Sequence, residues 1–139
     1  MVNRIPFSNK ELAKQPTQKQ IKEFWMRIGF TFKKVRILDF NDNDEKIFEY
    51  KVHWFSPNNT KVWYDSPPFL DLNNLFEYAM PKAVGVLVER SKQMAPPSSI
   101  SRDTAFRYLI ECWLGKNPLQ FGFEATLFWI IREVIKDAR

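Results

Sequence analysis

The chain of 139 residues holds only four glycines, one cysteine and one histidine. Each scarcity excludes a chemistry. The glycines stand far apart at positions 29, 85, 115 and 122, and a phosphate-cradling loop needs several in a short window. This argues against nucleotide-triphosphate hydrolysis and dinucleotide-dependent redox chemistry. Cys112 has no second cysteine in the chain, so no intramolecular disulfide can form. With His53 as the only imidazole, the usual ligand set of a zinc site cannot be assembled. No apolar run approaches the length needed to span a bilayer. The opening residues, Met1-Val2-Asn3-Arg4-Ile5-Pro6-Phe7, do not pattern as a signal peptide. The expectation is a cytoplasmic protein with no membrane contact.

Aromatic residues, by contrast, reach 16% and apolar residues 45%. A chain so rich in rings is not globally disordered, and its length suits one domain with one core. The net charge is +5, unevenly placed. Met1 to Arg36 carries nine Lys/Arg against Glu11 and Glu23, a local +7. Asp39 to Glu49 carries five acids against Lys46, a local −4. A basic segment attracts polyanions or phosphorylated ligands. A lysine-rich solvated surface is the plainer reading of the same residues.

Residues 1–16 read as a basic N-terminal arm between Pro6 and Pro16, and 17–139 as a single domain. Thr17 and Gln20 form a capping box. Ile21, Phe24, Trp25 and Ile28 then follow at helical spacing, and Gly29 is the stop. Phe30 to Phe40 favours strand. Asn41 to Asp44 is a turn by composition. Ile47 to Phe55 alternates as a half-buried strand with an aromatic face. After a turn at Pro57-Asn58-Asn59-Thr60, Lys61 to Tyr64 makes a third strand. Short turns between neighbours give an antiparallel meander.

Pro67-Pro68 ends the sheet, because neither proline can donate to a ladder. Asp71 caps a helix whose Leu72, Leu75, Phe76 and Ala79 face a core. Ala83 to Val88 either continues that helix past a kink at Pro81 or forms a β run, and the absence of a turn signal favours helix. Ala95-Pro96-Pro97-Ser98-Ser99 is a loop. Ser101 caps the next helix, Gly115 ends it, and a last helix carries Leu127, Phe128, Ile131, Val134 and Ile135 on one face. The expected class is α+β: a small antiparallel sheet of about three strands packed with about four helices, sandwich-like.

Catalytic constellations are sparse. Cys112 lies mid-helix beside Trp113 and reads as an inert thiol. His53 lies in an aromatic strand with no partner in a recognisable signature. Asp65 and Asp71 are explained as a turn residue and a cap. Asp39 to Asp44 superficially resembles a calcium loop, but Asp44 stands where glycine belongs and Tyr50 where a bidentate Glu belongs. No cofactor and no metal is expected, and the chain is expected not to be an enzyme. One binding constellation remains. Lys33, Lys34, Arg36, Lys51 and Lys61 interleave with Phe32, Tyr50, Trp54, Phe55, Trp63 and Tyr64 on or beside the strands. Rings stack on bases while Lys and Arg meet phosphates. The alternative is that these rings are core beneath the helices.

The order Lys22-Glu23-Phe24-Trp25-Met26-Arg27-Ile28-Gly29-Phe30, the hairpin with Ser56-Pro57-Asn58-Asn59, then Pro67-Pro68 and Asp71 through Lys82 resembles the phage α-β-α sandwich family. These are small proteins of phages and prophages. Ala125-Thr126-Leu127-Phe128-Trp129-Ile130-Ile131 is similar to a helix that recurs at the family's end. The likeness covers roughly residues 17–82 and 120–136. Between 83 and 119 the chain departs from the family, which tends to carry another strand or two there. The shared motif is one of packing and carries no catalytic residue across.

The resemblance implies a phage or prophage accessory protein. It further implies a counter-defence binder that sequesters a ligand, and the basic arm and aromatic sheet favour an anionic one, either a nucleotide signal or nucleic acid. The alternative is an inhibitor or assembly module that binds a host or phage protein, steered by the acidic turn and the basic arm. A homo-oligomer would be a natural way to build a pocket from so small a domain.

Overall fold

The computed structural model describes residues 14–94 and 99–136. Most of the predicted arm and of the Ala95–Ser99 loop therefore lies outside the described residues. Helix α1 (Gln18–Ile28) opens with the expected capping box. The Thr17 hydroxyl accepts from the Gln20 N–H at 3.1 Å, and the Gln20 side-chain Oε1 accepts from the Thr17 N–H at 2.9 Å. Gly29 ends the helix at φ 120°, donating back to Trp25 and Met26. A Cβ there would stand 3.3 Å from Pro57, so both conformation and space call for glycine.

Strands β1 (Thr31–Phe40), β2 (Lys46–Phe55) and β3 (Val62–Tyr64) form an antiparallel sheet in that order. The α+β class and the three-stranded meander are as expected. The β1–β2 turn is held by the Asn41 side-chain oxygen, which accepts from the N–H groups of Asn43 and Glu45 at 2.9 Å. The β2–β3 turn is organised by Ser56, a buried hydroxyl that accepts from Thr60 and Lys61 N–H and donates to Asn58. That satisfies a group whose burial would otherwise be costly.

The Asp71 carboxylate accepts from the Asn74 N–H at 2.7 Å and starts α2 (Leu72–Asn74). This short helix widens into a π-helical turn (Leu75–Ala79) and continues as α3 (Met80–Met94). Pro81 explains the widening. It has no N–H, and its ring crowds the carbonyl four residues back in a regular α-helix. The wide turn sits where that crowding would fall. Residues 83–88 are helical. Val86, Leu87 and Val88 are all half-buried against the core rather than alternating, as a one-sided strand would have them.

Ser101 caps α4 (Arg102–Leu114) by accepting from the Thr104 N–H. The short α5 (Pro118–Phe121) leads into α6 (Phe123–Ile135). Helix α6 is the hub: Leu127, Phe128, Ile130 and Ile131 are all fully buried, so more than one of its faces is covered. It packs against α1, the π turn, α3 and α4. Two arginines from neighbouring helices donate to carbonyls at its C-terminal end, Arg90 to Val134 and Arg27 to Lys136. Cations there complement the helix dipole and satisfy carbonyls that lack helical partners.

Among the described residues the helices cover only the base of the sheet. Trp54 is buried there, and Trp25, Phe30, Trp63 and Tyr78 meet edge to face with ring centroids 5.1–5.8 Å apart. The layered, sandwich-like contact is confined to this end. Beyond Val52, β1 and β2 continue as a two-stranded ribbon whose residues are exposed or half-exposed on both faces.

Candidate ligand platform on the hairpin

Strand geometry sorts the predicted site residues. Successive side chains point to opposite faces, and directly paired residues share a face. The pairs Phe32–Trp54, Lys34–Val52, Arg36–Tyr50, Leu38–Phe48 and Phe40–Lys46 therefore lie on the inner face, the one that meets the helices at Trp54. Lys33–His53, Val35–Lys51 and Ile37–Glu49 lie on the outer face. The third strand adds Tyr64 beside His53 on the outer face and Trp63 beside Trp54 on the inner.

The eight residues expected to bind a ligand thus separate into groups. Lys33, Lys51 and Tyr64 come together on the outer face near the body. Lys34 and Arg36 stand on the inner face, on the opposite side of the ribbon. Trp54 is only 2% exposed, so its expected role in binding a ligand gives way to a core role. Trp63 is half-buried, and its ring is occupied by Phe30 and Tyr78. Lys61 precedes β3 and pairs with Glu77 at 3.3 Å. The neighbouring Tyr78 hydroxyl and the Glu77 carboxylate hold its ammonium above the usual pKa.

On the outer face, Lys33, His53 and Tyr64 form one row across three strands. The His53 and Tyr64 rings meet edge to face at 4.8 Å, and Tyr64 is 68% exposed. Lys33 lies 6.0 Å from the Phe55 ring centroid, and Lys51 occupies the next row. No salt bridge engages Lys33 or Lys51 among the described residues. This arrangement offers an open ring to stack on and two unpaired cations beside it. Residue spacing alone pointed to Lys33, Lys51 and Tyr64 and left out His53. The signal that finds His53 is register: it is the middle member of the row.

The distal inner face was less legible. Leu38, Phe40, Phe48 and Tyr50 alternate as a core-facing strand should, yet each is about half exposed or more. Arg36 lies 3.5 Å above the Phe48 ring centroid. This face carries Lys34, Arg36 and Lys46 and no acid.

Other features carry less chemistry. Burial pushes the Cys112 thiol up, the state expected of an unreactive cysteine, and burial together with Cys112 pushes Tyr108 up to about 12. Among the described residues no three His, Cys, Asp or Glu side chains converge as a metal site would require. An open cleft of about 230 Å³ between α3 and α4 is lined by Phe76, Met80, Pro81, Val84, Arg102 and Phe106, among others. It falls below the usual range for small-molecule pockets, about 300–1,000 Å³. No helix among the described residues is long and apolar enough to cross a membrane. Comparison with protein families, with curated proteins and with solved structures finds no match to this chain.

Proposed function

We propose that this chain is a non-enzymatic binder of an anionic ligand, a nucleotide signal or a nucleic-acid strand, held on the outer face of the sheet. The observation that carries the reading is the Lys33–His53–Tyr64 row with Lys51 beside it. An exposed tyrosine ring offers a base a stacking surface worth about 1–3 kcal/mol. The lysines are placed for phosphates, whose attraction is long-ranged and salt-dependent. The resemblance to phage and prophage proteins supports a role as an accessory protein that sequesters such a ligand in the host cytoplasm.

Titration calorimetry at low salt against cyclic di- and trinucleotides and short single-stranded oligonucleotides tests this. Binding should weaken about tenfold in Tyr64→Ala, the loss of one stacked base. The double variant Lys33→Glu, Lys51→Glu should bind least and show the flattest salt dependence. Silence of the native chain across the panel removes the proposal. A second reading, a module that binds a host or phage protein, is favoured by the exposed apolar residues of the inner face. A stoichiometric protein partner from host lysate, with no nucleotide retained, would support it.

A further inference from the structure

We propose that the distal inner face of the hairpin is the contact surface for a second copy of this chain. Two ribbons pack face to face and antiparallel about a two-fold axis through the Leu38–Phe48 pair. This goes beyond the ligand reading and does not rest on it, because it uses the opposite face of the ribbon.

Exposure makes the first argument. Leu38, Phe40, Phe48 and Tyr50 are 49%, 55%, 50% and 70% exposed, and the register sets them in consecutive rows on one face. Half-exposed rings of this size leave about 100 Å² each open to water. A contiguous patch of about 400 Å² is the size of the largest on a typical monomer, which is often functional. The aliphatic stems of Lys34, Arg36 and Lys46 extend this area, which stays below the standard interface of about 800 Å² per partner and suits a dimer that forms at high concentration.

Charge selects the partner. The tip carries Asp42, Asp44 and Glu45, whereas the inner face behind it carries Lys34, Arg36 and Lys46. None of these six forms a salt bridge within the described chain. A polyanion laid lengthwise along this face would run into the acidic tip, unlike one crossing the strands at the Lys33–His53–Tyr64 row by the body. A second copy turned end for end meets no such conflict. With the axis through Leu38–Phe48, the Arg36–Tyr50 row of one copy faces the Phe40–Lys46 row of the other. One row further out, Lys34 faces the acidic tip. The surface is therefore self-complementary in both charge and apolarity, as an isologous two-fold contact requires. No other register within the ribbon does as well. Moving the axis one pair toward the body would set Phe40 against Phe32 and Trp54, where the sheet already meets the helices.

Sedimentation equilibrium from micromolar to millimolar concentration tests the proposal. The native chain should run at twice 16.6 kDa at the upper end. Phe48→Glu sets like charges across the axis and should give a monomer with an unchanged circular-dichroism spectrum. Leu38→Glu, the cross-strand partner of Phe48 and also on the axis, sets like charges in the same way and provides the same test should Phe48→Glu misfold. Lys34→Glu should weaken the dimer at least tenfold. Adding Asp42→Lys and Asp44→Lys to that variant should restore it, which a purely structural role for Lys34 would not allow. A native chain that stays monomeric throughout overturns the proposal. So does a dimer indifferent to both glutamate variants, or a monomer that holds a different protein on this face.

Discussion

The two ends of β2 use the same alternation of ring and polar residue and end up in opposite environments. At the body, Trp54 is 2% exposed beneath a cluster of rings; four residues earlier on the same face, Tyr50 is 70% exposed. Intrinsic preference for strand does not distinguish them. What differs is whether anything stands opposite. Helix α1, Tyr78 of the π turn and Phe30 close over the base, while among the described residues no helix covers the ribbon beyond Val52. An aromatic face in a strand states a capacity for burial, and tertiary structure decides whether this chain uses it alone.

The sharpest way to test that contrast is to remove one ring from each region. Phe128 is fully buried on α6 and touches Phe24 and Trp129, with ring centroids at 4.6 and 4.9 Å. Phe128→Ala should cost about 3–5 kcal/mol in a urea titration. That is a large part of the ~5–15 kcal/mol that holds a typical domain. A cost under about 1 kcal/mol would mean that α6 is not the hub.

An intermediate effect is expected at the joint between the regions. Gly29→Ala forces a side chain into a left-handed conformation against Pro57, and about 1–2 kcal/mol should be lost. The loss should appear as a lower midpoint with an unchanged slope. A neutral outcome would show that α1 and the β2–β3 turn approach less closely than described.

The smallest effect should come from the ribbon. Tyr50→Ala, measured at a dilution where the chain is monomeric, should change stability by no more than about 0.5 kcal/mol. A cost matching that of Gly29→Ala would place Tyr50 against the body and erase the contrast.

Much of the fold was readable because its signals are local. The Thr17–Gln20 box, the Asp71 and Ser101 caps and the Gly29 stop each need only a few neighbouring residues, and each is found where expected. The helical state of 83–88 was legible only by default, because Val84, Val86 and Val88 fit either period. The burial of Trp54 and the exposure of Tyr50 were not legible, since alternation carries no record of what lies opposite. Nor could spacing show that Lys33 and Lys34, adjacent in sequence, serve different faces, until register fixed which side met the core. The ends of α6 were hidden for a related reason. Arg27 and Arg90 reach its final carbonyls from positions far away in the chain.

The wide turn at Leu75–Ala79 has a consequence beyond accommodating Pro81. A regular helix advances about 100° per residue, so a turn with more residues than usual resets the phase of everything after it. Leu75 and Ala79 before the reset, and Met80, Ala83 and Val84 after it, all face the core. The rod from Leu72 to Met94 thus behaves like a screw with one altered thread. Straightening that turn at full length would swing α3 round by about a quarter of a circle and carry Val84 out of the core. Removing a single residue from it would restore regular pitch and leave α3 in phase.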